Sequence, residues 1–254
     1  MANLNFSAKS RALEARSPRV GVEPTSPGNG VRFLGTCVNG RTAAAPSARP
    51  AFDPSTFRDV ARTVLPIEFQ GCEIKFDAHA YEDDSASFQA MALVRNIQNG
   101  KDELPVVRVH SGCVTGDIFH SLRCDCYQQL QRSLELLVAS HKGAIIYLPH
   151  HEGRGIGLVN KIKAYAEQDR GLDTVDANLS IGAPVDARDY ELAAKILKDL
   201  GFGTIRLMTN NPLKVAALGE FGITVAERVE IVTEPSQYNE RYLATKRQRM
   251  AHKL

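Results

Sequence analysis

No apolar run in this sequence approaches the roughly 20 residues needed to cross a bilayer; the longest, such as Gly143 to Leu148, have the length of a buried strand. A membrane partner is therefore not expected, and the chain reads as soluble. Net charge is nearly absent as well. With 31 Lys and Arg against 29 Asp and Glu, the balance is +2, which lacks the strongly basic footprint of a general nucleic-acid binder. Cysteine is scarce and odd in number: there are five, with Cys124 and Cys126 one residue apart. That is not the framework of a disulfide-stapled secreted domain, and it favours metal or redox chemistry in a reducing compartment. The N-terminus has no apolar core of a secretory signal, so a cytoplasmic location is the expectation. No internal repeat is present. What remains is 43% hydrophobic and 24% charged over 254 residues, an ordinary globular composition that can bury a sizeable core.

Six of the 12 prolines fall before residue 55, among Ser, Gly, Ala and Arg, without helical or strand periodicity. Residues 1–55 are read as a flexible extension, and residues 56–254 as the folded domain. Residues 65–77, 86–97 and 104–110 are rich in β-branched and aromatic side chains. Turn signals at Asp83-Asp84 and Asn99-Gly100 break them, which predicts an antiparallel meander. Beyond residue 127 helices and strands alternate. Leu130, Leu134, Leu137 and Val138 share one helical face; so do Leu158, Ile162, Tyr165 and Ala166; so do Tyr190, Ala193, Ile196, Leu197 and Leu200. Gly201 supplies a helix stop. Ala144–Leu148 and Thr204–Met208 read as strands, and Asn210-Asn211-Pro212 as a turn opening a helix. The predicted class is α+β (mixed α/β), an N-terminal antiparallel meander followed by alternating helices and strands.

Cys113, Cys124 and Cys126 form a C-x10-C-x-C pattern. Clustered thiolates suit zinc, which prefers sulfur and nitrogen in a tetrahedron. A structural site would be closed by a fourth protein ligand, for which His110 and His120 are candidates; a catalytic site would leave that position open. Spacing leaves both arrangements possible. Cys37 and Cys72 lie apart and read as ordinary thiols. Downstream, His151-Glu-Gly-Arg-Gly-Ile-Gly-Leu158 is a glycine-rich turn before a helix, where Arg154 and a helix N-terminus together suit a phosphate. Glu152, a carboxylate, could accept hydrogen bonds from a donor-bearing ring such as guanine.

Taken in order, RVHSGCVTGD (108–117), SLRCDC (121–126), EGRGIGLVNKIKAYAEQD (152–169), LDTVDAN (172–178), DARDY (186–190), TNNPLKV (209–215) and NERYLATKRQRM (239–250) resemble the GTP cyclohydrolase II family of riboflavin biosynthesis. The resemblance runs from about Leu65 to the C-terminus. It implies a zinc- and Mg²⁺-dependent hydrolase that converts GTP to 2,5-diamino-6-ribosylamino-4(3H)-pyrimidinone 5′-phosphate, formate and pyrophosphate, working as a homodimer. By resemblance Cys113, Cys124 and Cys126 are the ligands of one zinc per subunit, which activates water for attack at guanine C8. Arg188 matches an arginine proposed as nucleophile at the α-phosphate, Asp186 its proton acceptor, and Tyr165 a tyrosine needed for formate release. An arginine is a poor nucleophile because it stays protonated, so its place at the phosphates is the firmer part of that role. GTP-binding positions match Arg108, Val109, His110, Ser111, Gln129, Glu152, Gly153, Arg154, Thr174, Thr209 and Lys214.

The chain departs from the family pattern near these positions. Gly112 stands where a glutamate is usual, Tyr127 where a glycine is usual, and His150-His151 where an Arg-Gln pair is usual. These changes leave open a divergent paralogue that stops at a formamidopyrimidine or serves a secondary-metabolite pathway. A non-catalytic zinc module binding nucleotides is the remaining alternative, disfavoured by the retained thiols, Tyr165, Asp186 and Arg188.

Overall fold

The computed structural model describes residues 57–83, 88–96 and 103–249. The extension read over residues 1–55 and the turn signal at Asn99-Gly100 lie outside them. Among the described residues, seven strands form one sheet. They are β1 (Arg58–Phe69), β2 (Cys72–Glu82), β3 (Gln89–Asn96), β4 (Val106–Ser111), β5 (Lys142–Leu148), β6 (Thr204–Met208) and β7 (Thr224–Val229), in the order β1-β2-β3-β5-β4-β6-β7. The β1, β2, β3 and β5 pairings are antiparallel, whereas β5, β4, β6 and β7 run parallel. The mixed α/β class is as the sequence predicts.

Two details of the predicted meander change. Residues 65–77 form the end of β1 and the start of β2, joined by a turn in which Gln70 and Gly71 take φ of 51° and 79°. Residues 104–110 do not extend the meander: β4 lies between β5 and β6, parallel to both. Val106, Val107, Arg108, Val109 and His110 are all buried, as a strand covered on both faces requires.

The helices are α1 (Cys126–Ala139), α2 (Gly157–Asp169), α3 (Thr174–Ser180), α4 (Glu191–Asp199), α5 (Pro212–Glu220) and α6 (Glu240–Arg249). Strict alternation fails between β5 and β6, where α2, α3 and α4 follow one another. On one side of the sheet, Leu192, Ile196 and Leu197 of α4 pack with Val107, Val109, Ala144 and Ile146. On the other, Leu134 and Leu137 of α1 pack with Val106 and Ile145. Burying each such side chain stabilises the fold by about 1.5–3 kcal/mol. Helix α4 stops as the sequence indicates: Gly201 takes φ 71°, and Phe202 N–H reaches back 2.7 Å to the Leu197 carbonyl. Asn211 caps α5 by accepting from Leu213 N–H at 3.0 Å.

One predicted stripe is inverted. On α2, Leu158 and Ile162 are 43% and 49% exposed, while Lys161 and Ala164 are buried. This helix turns a charged face inward because it covers the polar cleft formed beyond the C-terminal ends of β4, β5 and β6, the usual ligand position in an open α/β sheet.

Candidate active site

The thiolate pole is built where β4 ends. Cys113 follows it, a wide helical turn over Val114–Ile118 returns the chain, and Cys124 and Cys126 lead into α1. Their three Sγ atoms lie within 4.8 Å of one another, and none forms a disulfide. Among the described residues neither His110 nor His120 joins this group. His110 Nε2 lies 3.1 Å from both Asp117 oxygens, and His120 stacks on Tyr127. The donor set fits zinc with three sulfur ligands and one open position. Gly116 belongs to that cradle, because a Cβ there would lie 2.9 Å from Cys124 Sγ and 3.0 Å from Cys113 Sγ.

The surrounding charges favour thiolate. Lys161 Nζ lies 3.0 Å from Cys113 Sγ and 2.6 Å from Glu152 Oε1. Hydrogen bonds from the neighbouring thiols and the Lys161 charge hold Cys113 far below the usual thiol range. Asp117 braces the turn, accepting from Cys113 N–H at 2.9 Å and Tyr147 O–H at 3.2 Å. Asp125, between the two later cysteines, is fully buried. Burial would raise its pKa, but Lys246 of α6, 2.7 Å away, outweighs this and holds it low. Its second oxygen accepts from Gln129 Nε2 at 2.5 Å, and Gln129 Oε1 accepts from Arg108 at 2.5 Å. A buried chain of polar groups thus runs from α6 through the thiolate loop to β4.

The second pole is cationic. Arg108, Arg154, Lys161, Arg188, Lys214 and Lys246 line the cleft, and among the described residues no Asp or Glu does. Arg188 is held by Asp186 through Nε–Oδ1 at 2.9 Å and Nη2–Oδ2 at 2.5 Å. Burial would raise Asp186 and lower Arg188; their mutual attraction reverses both, keeping the pair charged. Among the described residues, Arg108, Arg154 and Lys214 have no carboxylate partner within salt-bridge range. Lys214 Nζ donates to the Val109 carbonyl at 2.8 Å, and burial, then Arg108 and Arg188, push it well below the usual ammonium range. Both terminal nitrogens of Arg154 are buried without a hydrogen-bond partner among the described residues. Buried unpaired cations are costly unless an anion joins them.

The glycine-rich turn aims Arg154. Gly153 and Arg154 both take left-handed φ, 60° and 64°, a conformation that strains a non-glycine residue. Gly155 lets the backbone of residues 186–188 approach: a Cβ there would lie 2.8 Å from the Ala187 carbonyl oxygen, and Ala187 N–H donates to Arg154 C=O at 2.9 Å.

Most expected positions converge on this cleft. Arg108, His110, Ser111, Cys113, Cys124, Cys126, Gln129, Gly153, Arg154, Tyr165, Thr174, Arg188, Thr209 and Lys214 line it. Asp186 stands behind Arg188, and Val109 is buried with its carbonyl on Lys214. Glu152 does not line the cleft either. Its carboxylate is taken by Lys161 and by Val114 N–H at 2.6 Å. Tyr165 sits beside Lys161, its phenol pushed up to about 12 by burial. Sequence reasoning missed Lys161, Asp117, Asp125, Tyr242 and Lys246. The available signals were a lysine interrupting an apolar stripe and an aspartate between two cysteines.

Of the departures, Gly112 is tightly enclosed: a Cβ would lie 3.0 Å from Pro149 Cα and 3.1 Å from the Leu148 oxygen. Tyr127 stacks on His120 with centroids 3.9 Å apart.

The GTP cyclohydrolase II family profile matches residues 58–230. The protein named GTP cyclohydrolase-2 from Acinetobacter baumannii is 45% identical over 193 residues, 76% of this chain and 94% of its own length. The riboflavin biosynthesis protein RibBA from Salinispora tropica is 51% identical over 180 residues, 70% of this chain and 44% of its own length. The chloroplastic monofunctional riboflavin biosynthesis protein RIBA 3 of Arabidopsis thaliana is 48% identical over 178 residues, 70% of this chain and 35% of its own length. The matched segment thus spans less than half of the latter two relatives. With this profile match and these identities, the chain belongs to the GTP cyclohydrolase II family.

Proposed function

We propose that the chain hydrolyses GTP to the diaminopyrimidinone nucleotide, formate and pyrophosphate. The observation that carries this reading is one cleft whose wall, among the described residues, holds six Lys and Arg side chains and no carboxylate, and three clustered thiols in the same wall. A triphosphate meets the cations, and the purine ring meets the thiolate pole. Arg108, Arg154 and Lys214 supply the uncompensated positive charge. Arg188, fixed by Asp186, orients the α-phosphate. Thr174 and Thr209 offer hydroxyls along the same wall.

Zinc held by Cys113, Cys124 and Cys126 supplies the Lewis acidity for hydrolytic opening of the imidazole ring. Lys161 and Asp117 hold the Cys113 side of that cradle; Asp125 and Lys246 hold the other. Tyr165, protonated through the neutral range, offers a phenolic proton at this pole for formate release. Mg²⁺ would accompany the triphosphate and offset its charge, which fits a wall that shows no carboxylate among the described residues. The Glu152 carboxylate, expected to accept from the guanine edge, holds Lys161 and the Val114 N–H. A homodimer is the proposed assembly, following the family.

Mass-resolved product analysis of zinc-loaded protein with GTP and Mg²⁺ tests this reading. The diaminopyrimidinone phosphate with formate is expected. A formamidopyrimidine or GMP as end product identifies a truncated reaction, and untouched GTP contradicts the proposal.

A further inference from the structure

The phosphate end of the cleft contains a serine and a histidine whose arrangement exceeds simple binding. Ser111 ends β4, and His151 lies in the turn after β5; both line the cleft beside Arg188. Ser111 Oγ is 3.2 Å from His151 Nδ1. The other ring nitrogen, Nε2, is 2.7 Å from the backbone carbonyl oxygen of Asp189. A carbonyl can only accept, so Nε2 carries the ring proton and Nδ1 presents its lone pair to the serine hydroxyl. His151 is buried and neutral, held so by desolvation, then by His150, Arg188 and Lys214. Arg188 Nη1 lies 3.5 Å from the same Oγ. A hydroxyl, a base within hydrogen-bond reach and a group orienting that base are the parts of an activated nucleophile. The guanidinium of Arg188 has no lone pair to offer: it is protonated and tied to Asp186 through two nitrogens.

We propose that Ser111 is the nucleophile toward the α-phosphorus, with His151 its general base and Arg188 the cation neutralising the phosphoryl oxygens; this rests on the GTP reading above. The Ser111 Oγ–H proton passes to His151 Nδ1 as the Oγ–Pα bond forms. The bond from Pα to the bridging oxygen breaks, pyrophosphate leaves with that electron pair, and His151 returns the proton to it. Water then gives a proton to His151 while its oxygen attacks Pα. Ser111 Oγ leaves and recovers the proton from His151. The sum is GTP plus water giving a nucleoside monophosphate and pyrophosphate.

Three readouts on the zinc-loaded full chain test this. A single diastereomer of α-thio-GTP, turned over in ¹⁸O-water, should give retention at phosphorus from two displacements. Acid quench during turnover and peptide mass mapping should place the nucleotidyl group on the peptide carrying Ser111. Ser111→Ala should lose pyrophosphate release by roughly 10³-fold or more with GTP affinity changed only a few-fold, and His151→Gln by roughly 10²–10⁴-fold. Inversion at phosphorus, an adduct on Arg188 or His151, or an Ser111→Ala enzyme at full rate overturns the proposal. Because the stereochemistry and the site of the adduct are both read on the unaltered protein, together they decide even if a variant folds poorly. A wild-type chain releasing no pyrophosphate from GTP refutes the functional reading itself, which is a different result.

Discussion

Lys214→Met probes whether this cleft is built around a polyanion. The Lys214 ammonium is buried, has no carboxylate partner within salt-bridge range among the described residues, and donates to the Val109 carbonyl. Its folded pKa is depressed, so the charged form is held at a disadvantage of about 1.4 kcal/mol per unit of depression. Between the folded and unfolded pKa values the unfolded chain binds more protons, so the ligand-free protein gains stability as pH rises through that window. Methionine keeps an unbranched apolar stem and removes the charge, and forfeits one hydrogen bond with a net worth of about 1 kcal/mol. Relief of the unpaired buried charge outweighs this, and the ligand-free variant should be more stable by about 1–2 kcal/mol. For a domain of this size that raises the melting temperature by roughly 2–5 °C and flattens the rise in stability toward alkaline pH. GTP affinity should move the other way. Loss of one charge-assisted hydrogen bond, about 1.5–3 kcal/mol, weakens Kd roughly 10- to 150-fold. Thermal melts from neutral to alkaline pH, with calorimetric titration of GTP under non-turnover conditions, measure both. A variant that melts lower than the parent and binds GTP equally well refutes the reasoning.

Cys124→Ser should bind far less zinc and lose formate production while retaining pyrophosphate release within a few-fold, because the two poles use different groups; metal analysis beside both product assays checks this, and unchanged formate release would make the cluster structural. Lys246→Met leaves the Asp125 carboxylate buried and unpaired, so stability should fall by about 3–5 kcal/mol in a urea melt. Zinc affinity should fall roughly 10- to 100-fold in a chelator competition, and no change in either quantity would remove Lys246 from the support of the thiolate loop. Gly112→Glu forces a Cβ against the Pro149 backbone and the Leu148 carbonyl and should destabilise by about 1–3 kcal/mol; a variant as stable as the parent would show that this turn yields more easily than its packing implies.

Local chemistry was the legible part of this chain. The cysteine spacing named the donor type, and the glycine-rich turn carrying Arg154 named an anion site, since both signals are carried by side-chain type over short stretches; Arg108 and Lys214 were expected there only through the family resemblance. The fourth ligand was not legible: His110 is spent on Asp117, 7 residues away, a pairing that only the returning turn creates. Placement of β4 was missed for a related reason. A short valine-rich strand of six residues pairs equally well in either direction, and burial between β5 and β6 decides which. On α2 the periodicity was correctly helical, but periodicity does not say which face is covered. Lys161 faces inward because Cys113 and Glu152 are there to receive it, and both are remote in sequence. Strand β7 and helix α3 carry little amphipathic signal, being short and half-exposed, and they went unread. Lys246 and Tyr242 belong to a C-terminal segment whose charge reads as a solvated face until Asp125 and the cleft are placed beside it.

The central claim is that one cleft performs phosphoanhydride cleavage at its cationic pole and ring opening at its thiolate pole. Simultaneous measurement of pyrophosphate and formate released from GTP by the zinc-loaded chain tests it most directly. The account predicts equal amounts of the two products throughout turnover and loss of formate alone when zinc is stripped. Formate without pyrophosphate, or loss of both on stripping zinc, would contradict the division of the cleft into two poles.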